Sequence, residues 1–197
     1  MKVVDMAKRV IIVHRWDGEP DGDWYPWLRD ELETKGFKVT IPAMPDPSEP
    51  NIDAWVSHLR KIVGQLDEDT YFVGHSIGCQ TIMRYLETSN TKIGGMIFVA
   101  GWFHLRNLEN AEVEEIARPW LTAPINFPKI KERANKVTVF LSSNDPFDCS
   151  KENEIGFKEL LGARVFIETN LGHFTADDGV RKIPAVLKEL LRMAETK

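Results

Sequence analysis

Gly74-His75-Ser76-Ile77-Gly78 is the segment of this chain best suited to chemistry. A serine set between glycines in a Gly-x-Ser-x-Gly pattern becomes a nucleophile when a strand runs into it and a helix leaves it. The tight turn then holds the side chain clear of the sheet in a strained backbone conformation. The pattern alone is short enough to arise by chance. Its setting is more specific, because the apolar run Tyr71-Phe72-Val73 precedes it and a helical pattern over residues 77–86 follows. Gly74 and Gly78 fit a turn in which side chains would collide with the neighbouring strand and helix. Ser76 also stands at a helix N-terminus, where free N–H groups favour developing negative charge. The competing reading makes Ser76 an ordinary N-cap between packing glycines.

A serine nucleophile needs a base, and the chain has five histidines. His75 neighbours Ser76, so its side chain diverges from it and belongs to the turn. His58 lies in an amphipathic stretch, and His14 and His104 each follow a strand. His173 is different: it sits in Asn170-Leu171-Gly172-His173-Phe174, between the last predicted strand and the last predicted helix. In a parallel sheet such loops converge on the edge that carries Ser76, and Gly172 lets this one turn the imidazole inward. Asp145 follows another strand, and Pro146 holds it extended just beyond the sheet edge. Asp148, with Ser150, is better read as a helix N-cap, and Asp177 and Asp178 stand ahead of the final helix. The chain order Ser76, Asp145, His173 is that of the α/β-hydrolases, distinct from other serine triads.

The elements that must position these residues alternate along the chain. Strands are predicted over residues 10–13, 37–41, 71–73, 96–100, 137–141 and 165–167, and helices over 24–35, 52–66, 77–86, 152–161 and 183–193. Such alternation predicts an α/β fold, a three-layer sandwich with a mostly parallel central sheet and helices on both faces. Two segments break the pattern. Residues 42–50 hold four prolines and read as an ordered loop. Residues 101–128, rich in aromatics and proline, read as a short lid-like insertion in a single domain spanning 1–197.

Composition removes other classes. With 197 residues, 43% of them hydrophobic, the chain can bury a substantial core. Its formal charge of −5 offers no basic block for phosphates, so neither nucleic acid nor an anionic membrane is an expected partner. The longest uncharged stretch, residues 93–105, is shorter than the roughly 18 residues of a spanning helix. Residues 1–9 carry Lys2, Asp5, Lys8 and Arg9 ahead of a four-residue apolar run, which is not a secretory signal pattern. Cys79 and Cys149 lack paired spacing, which points to a reducing, cytoplasmic location. No metal-binding spacing, phosphate loop or dinucleotide fingerprint occurs, so neither metal nor cofactor is expected.

From residue 11 to the final helix the chain resembles the small, capless α/β-hydrolases of the retinoblastoma-binding protein nine and YdeN type. Beyond the serine turn, the resemblance rests on Trp24-Tyr25-Pro26-Trp27-Leu28, Met44-Pro45-Asp46-Pro47, Arg118-Pro119-Trp120, Asn144-Asp145-Pro146-Phe147 and Gly172-His173-Phe174. It implies a serine hydrolase with a minimal lid and a triad of Ser76, Asp145 and His173. The implied substrates are small esters of the carboxylesterase type, or thioesters and aminoacyl amides. Where many relatives have His-Gly after the first strand, this chain has His14-Arg15-Trp16. The expected oxyanion donors are the N–H of Ile77 and an N–H of the Arg15–Trp16 loop, that of Trp16 foremost. Arg15 either crowds this loop or draws an acidic substrate. The Leu-x-Cys-x-Glu motif of retinoblastoma binding is absent, so pocket-protein binding is not implied.

Trp16, Trp24, Trp102, Trp120, Phe127 and Phe174 are candidates to line an acyl pocket, about half of them being expected to touch it. Trp102, Trp120 and Phe174 are the substrate-binding candidates carried forward. Two further readings remain: a binding protein that keeps the fold without turnover, and an acyltransferase using the same three residues. The sequence specifies neither acyl chain, leaving group nor oligomeric state.

Overall fold

In a computed structural model, which describes residues 7–134 and 136–195, six strands form one sheet in the order β2-β1-β3-β4-β5-β6. They are β1 (Arg9–Val13), β2 (Lys38–Thr40), β3 (Thr70–His75), β4 (Gly95–Val99), β5 (Val137–Ser142) and β6 (Arg164–Glu168). All five pairings are parallel, so the sheet is more uniform than the expected mostly parallel one. The segment 1–6, part of the stretch read against a signal peptide, lies outside the described residues.

The helices are α1 (Tyr25–Glu33), α2 (Ile52–Val63), α3 (Ile77–Glu87), α4 (Ala111–Thr122), α5 (Phe127–Arg133), α6 (Ser150–Leu161) and α7 (Pro184–Glu195). Side chains alternate across a strand, and here that alternation divides the core in two. Ile11, Val13, Phe72, Met96, Phe98, Val137, Val139 and Leu141 point to the face covered by α2 through α6. Val10, Ile12, Tyr71, Val73, Ile97, Val99 and Phe140 point to the face covered by α1 and α7. Strands buried on both faces read as continuous apolar runs, which is why the sequence exposes them.

Residues 101–128 hold more regular structure than their sequence predicts, namely all of α4 and the start of α5. Asn110 caps α4 by accepting the Val113 N–H, and Asn126 caps α5 by accepting that of Lys129. Pro119 lies within the last turn of α4, and the buried Arg84 secures that end by donating to the carbonyls of Trp120 and Ala123. Residues 42–50 form the expected loop without helix or strand.

Chain order reverses between β1 and β3: β2 lies on one side of β1 and β3 on the other. Loops leaving the two strands therefore diverge and open a crevice at their C-terminal ends, the usual ligand position in an open α/β sheet.

Candidate active site

Ser76 occupies that crevice. It is a non-glycine residue at φ 53°, ψ −118° between β3 and α3, a conformation that costs about 1–3 kcal/mol and persists only where the surroundings enforce it. Its amide donates to the Val99 carbonyl at the end of β4 (2.9 Å). The turn closes tightly enough to exclude neighbouring side chains. A Cβ at Gly74 would lie 2.8 Å from the backbone of Cys79, and one at Gly78 would overlap the Val13 carbonyl oxygen. Although Ser76 holds the N-cap position of α3, its side chain makes no capping bond.

The Ser76 hydroxyl faces His173 instead. His173 Nε2 lies 2.8 Å from Ser76 Oγ, and His173 Nδ1 lies 2.8 Å from Asp145 Oδ2. A carboxylate only accepts, so the imidazole carries its proton on Nδ1 and leaves Nε2 to accept from the serine hydroxyl. Trp102 Nε1 donates to the same Ser76 oxygen at 3.2 Å, fixing its rotamer from a second side. The other Asp145 oxygen accepts the Phe147 N–H (3.1 Å), and the Phe147 ring packs edge-on against the imidazole.

The loop bearing His173 is held by residues whose sequence context gave little signal. Asp178 accepts the His173 N–H at 2.9 Å, as well as the Thr175 N–H and hydroxyl. Burial would raise its pKa, but these donors outweigh burial and hold the carboxyl below its ordinary value. Asn144 Oδ1 accepts the Gly172 N–H at 2.9 Å. Gly172 itself is at φ 53°, where a Cβ would run into the Asp178 carboxylate. Asp148 does not cap α6 as expected: Cys149 holds the N-cap position without a side-chain bond, and Ser150 donates instead to the Ser142 carbonyl (2.7 Å).

The expected oxyanion residues separate. Ile77 is the first residue of α3, where an amide has no intrahelical acceptor. The Trp16 amide has no hydrogen-bond partner among the described residues. The Arg15 amide is already given to the Tyr25 hydroxyl at 3.2 Å, which removes it as a donor. The Arg15 guanidinium pairs with Asp23 at 2.8 Å and donates to the Trp16 carbonyl at 2.9 Å, so its charge is already partnered within the protein.

A cleft of about 330 Å³ opens over Ser76 and His173, walled by Trp16, Trp102, Leu105, Leu108, Val113 and Phe147, with Arg15, Asp17, Glu109 and Asp178 also lining it. Of the three substrate-binding candidates only Trp102 lines it. Trp120 is core, stacked edge-on against Trp55 with its indole N–H given to the Pro50 carbonyl. Phe174, at φ 60°, is fully buried in the cluster on the α1/α7 face. Trp24 is buried there too, while Phe127 packs on Phe103. A wider groove of about 780 Å³ along β6 and α7 has no serine, cysteine or histidine in its lining. Among the described residues no cluster of His, Cys, Asp and Glu could hold a metal ion, and no helix is long and apolar enough to cross a membrane.

YdeN of Bacillus subtilis (strain 168) is 30% identical over 186 residues, covering 92% of this chain and 93% of its own. Its crystal structure superposes with a TM-score of 0.87, covering 96% of this chain and 100% of that one, at 26% identity. Serine hydrolase RBBP9 of Rattus norvegicus is 30% identical over 172 residues, or 87% of this chain and 88% of its own. Est1E from Butyrivibrio proteoclasticus shares the fold, with a TM-score of 0.71 at 12% identity, covering 96% of this chain and 89% of that one. The family profile described as serine hydrolase matches residues 10–192. The chain is a hydrolase with the α/β-hydrolase fold and belongs to the serine hydrolase family.

Proposed function

We propose that the protein cleaves small, uncharged acyl esters through a Ser76–His173–Asp145 triad and an acyl-enzyme intermediate. The observation that carries this reading is the unbroken contact from Asp145 through both nitrogens of His173 to Ser76, each link 2.8 Å long. His173 Nε2 takes the hydroxyl proton as Ser76 Oγ bonds to the ester carbonyl carbon. Asp145 holds the Nδ1 proton and stabilises the imidazolium. The Ile77 and Trp16 amides receive the negative charge on the former carbonyl oxygen. Collapse of the tetrahedral species expels the alkoxide, which leaves as the alcohol with the proton from His173. Water then adds to the acyl-enzyme, giving its proton to His173, and the carboxylic acid departs as Ser76 recovers its proton.

The cleft supports the substrate class. Its volume is at the lower end of ligand pockets, which run from about 300 to 1,000 Å³. The Arg15 charge is internally paired, and Asp17, Glu109 and Asp178 leave the lining net negative, so an anionic ester is disfavoured. No cofactor takes part in this scheme.

A fluorophosphonate probe tests it, since Ser76 Oγ would form the P–O bond with loss of fluoride. The wild type should label and should hydrolyse short p-nitrophenyl esters. Ser76→Ala should lose labelling and about 10⁴-fold or more of turnover. Equal labelling of wild type and Ser76→Ala would exclude Ser76 as the nucleophile, and a wild type that does not label would favour a binding protein.

A further inference from the structure

A second line of hydrogen bonds runs behind the three residues just described. The Arg15 amide donates to the Tyr25 hydroxyl oxygen at 3.2 Å; that hydroxyl lies 2.7 Å from His75 Nδ1; and His75 Nε2 lies 2.7 Å from the backbone carbonyl oxygen of His173. Tyr25 and His75 are both fully buried. Chemistry fixes the direction of every link. A carbonyl only accepts, so His75 carries its proton on Nε2. Nδ1 is then a bare lone pair that takes the Tyr25 O–H, and the tyrosine oxygen is left to accept from Arg15. Burial, reinforced by the neighbouring His173, holds the His75 pKa down at about 3, so the single-proton form persists at neutral pH.

The two ends of this line matter. One is the amide next to Trp16, whose own N–H is the proposed oxyanion donor; the other is the backbone of the proposed base. The middle residue, His75, is bonded in the chain to Ser76. Asp23 braces the same two loops in parallel, accepting the Ala176 N–H on one oxygen (2.7 Å) and the Arg15 Nε on the other (2.8 Å). Linked bonds in a low-dielectric interior reinforce one another, and breaking one strands its buried neighbours.

We propose that Tyr25 and His75 are positioning residues that fix the oxyanion loop and the backbone of His173 in a common register with Ser76. The proposal rests on the triad reading. It assigns a purpose to the histidine within the Gly-x-Ser-x-Gly turn: its ring bridges the loop after β1 to the loop after β6, a span that neither loop closes alone.

The test compares four variants with wild type, using p-nitrophenyl acetate turnover, the rate of fluorophosphonate labelling at Ser76 and circular dichroism for folding. Tyr25→Phe keeps the ring but removes the hydroxyl. His75→Gln places an amide N–H near the former Nε2 and can still donate to the His173 carbonyl, whereas His75→Asn reaches only as far as Nδ1. Val186→Ala trims the same core face away from the line. We expect Tyr25→Phe to lower kcat and labelling roughly ten- to hundredfold, as sub-ångström to ångström misplacement does, with KM near wild type. His75→Gln should retain more activity than His75→Asn, and Val186→Ala should keep the wild-type kcat. If Tyr25→Phe does not fold, the Gln and Asn pair decides. Folded variants that all turn over at the wild-type rate would overturn the positioning role, as would a loss in Val186→Ala matching that in Tyr25→Phe. A wild type that neither labels nor turns over removes the triad reading, and this proposal with it.

Discussion

The two walls of the Ser76 cleft are built on opposite terms. On one side β3, the serine turn and α3 are continuous interior, with every residue from 70 to 86 buried. On the other, residues 103–116 contribute Leu105, Leu108 and Val113 to the cleft without a single buried position. The first wall holds its geometry because close packing admits no alternative arrangement. The second has few buried contacts and sits at the low-stability end of the molecule. Chemistry that tolerates little displacement is thus carried by the interior, and the apolar surface facing the proposed acyl group is carried by a segment free to vary.

Substitutions in the interior wall should be the costly ones. Gly78→Ala forces a methyl group against the Val13 carbonyl and should destabilise the fold by about 1–3 kcal/mol, read as a lower midpoint in urea unfolding. Acid should weaken the same wall. The folded pKa of His75 lies at about 3 against 6.5 for the free side chain, so the unfolded chain binds the extra proton between those values. Its contribution is complete above pH 6.5 and is lost as pH falls towards 3, at roughly 1 kcal/mol per pH unit. His14, whose pKa is likewise depressed chiefly by burial, adds to that slope. Urea midpoints at pH 7, 6, 5 and 4 should show the decline, and His75→Gln should flatten it; identical slopes would contradict the buried neutral histidine.

At the junction of the walls Trp102 lends its indole N–H to Ser76, while its carbonyl accepts from Gln80 at 2.9 Å. Trp102→Phe keeps an aromatic side chain, though a smaller one, but loses that donor and should lower kcat by roughly five- to tenfold, the value of one modest hydrogen bond. On the outer wall the effect should be smaller still. Val113→Ala should leave stability within about 0.5 kcal/mol of wild type. It should shift the preference between acetyl and butyryl esters by no more than about fivefold, measured as a ratio of kcat/KM.

The same contrast governs how legible the sequence is. The buried strands announce themselves, because burial on two faces leaves no room for polar residues, and β1, β3, β4 and β5 fall within two residues of the predicted runs. The outer segment does not. Residues 101–128, rich in aromatics and proline, read as a lid-like insertion, so α4 with its Asn110 cap and the start of α5 with its Asn126 cap stay hidden there. Trp120 and Phe174 mislead for another reason. Residue type predicts that an aromatic is buried but not on which side of a wall, and the left-handed turn at Gly172 and Phe174 sends the phenylalanine ring to the far face of the sheet. The Arg15 amide has a partner ten residues along the chain, and no local pattern reveals that pairing.

Sequence alone determined the parallel α/β architecture, because residue periodicity and the spacing of turn residues are local properties. It also nominated Ser76, Asp145 and His173, because an open parallel sheet delivers every strand-to-helix loop to one edge. Which side chains share that edge as working distances was decided only by the tertiary structure. The 2.8 Å contacts of His173, the indole donor from Trp102 and the buried line from Arg15 through Tyr25 and His75 join residues up to 98 positions apart. Such contacts depend on the packing of whole elements, and packing is a property of no single segment.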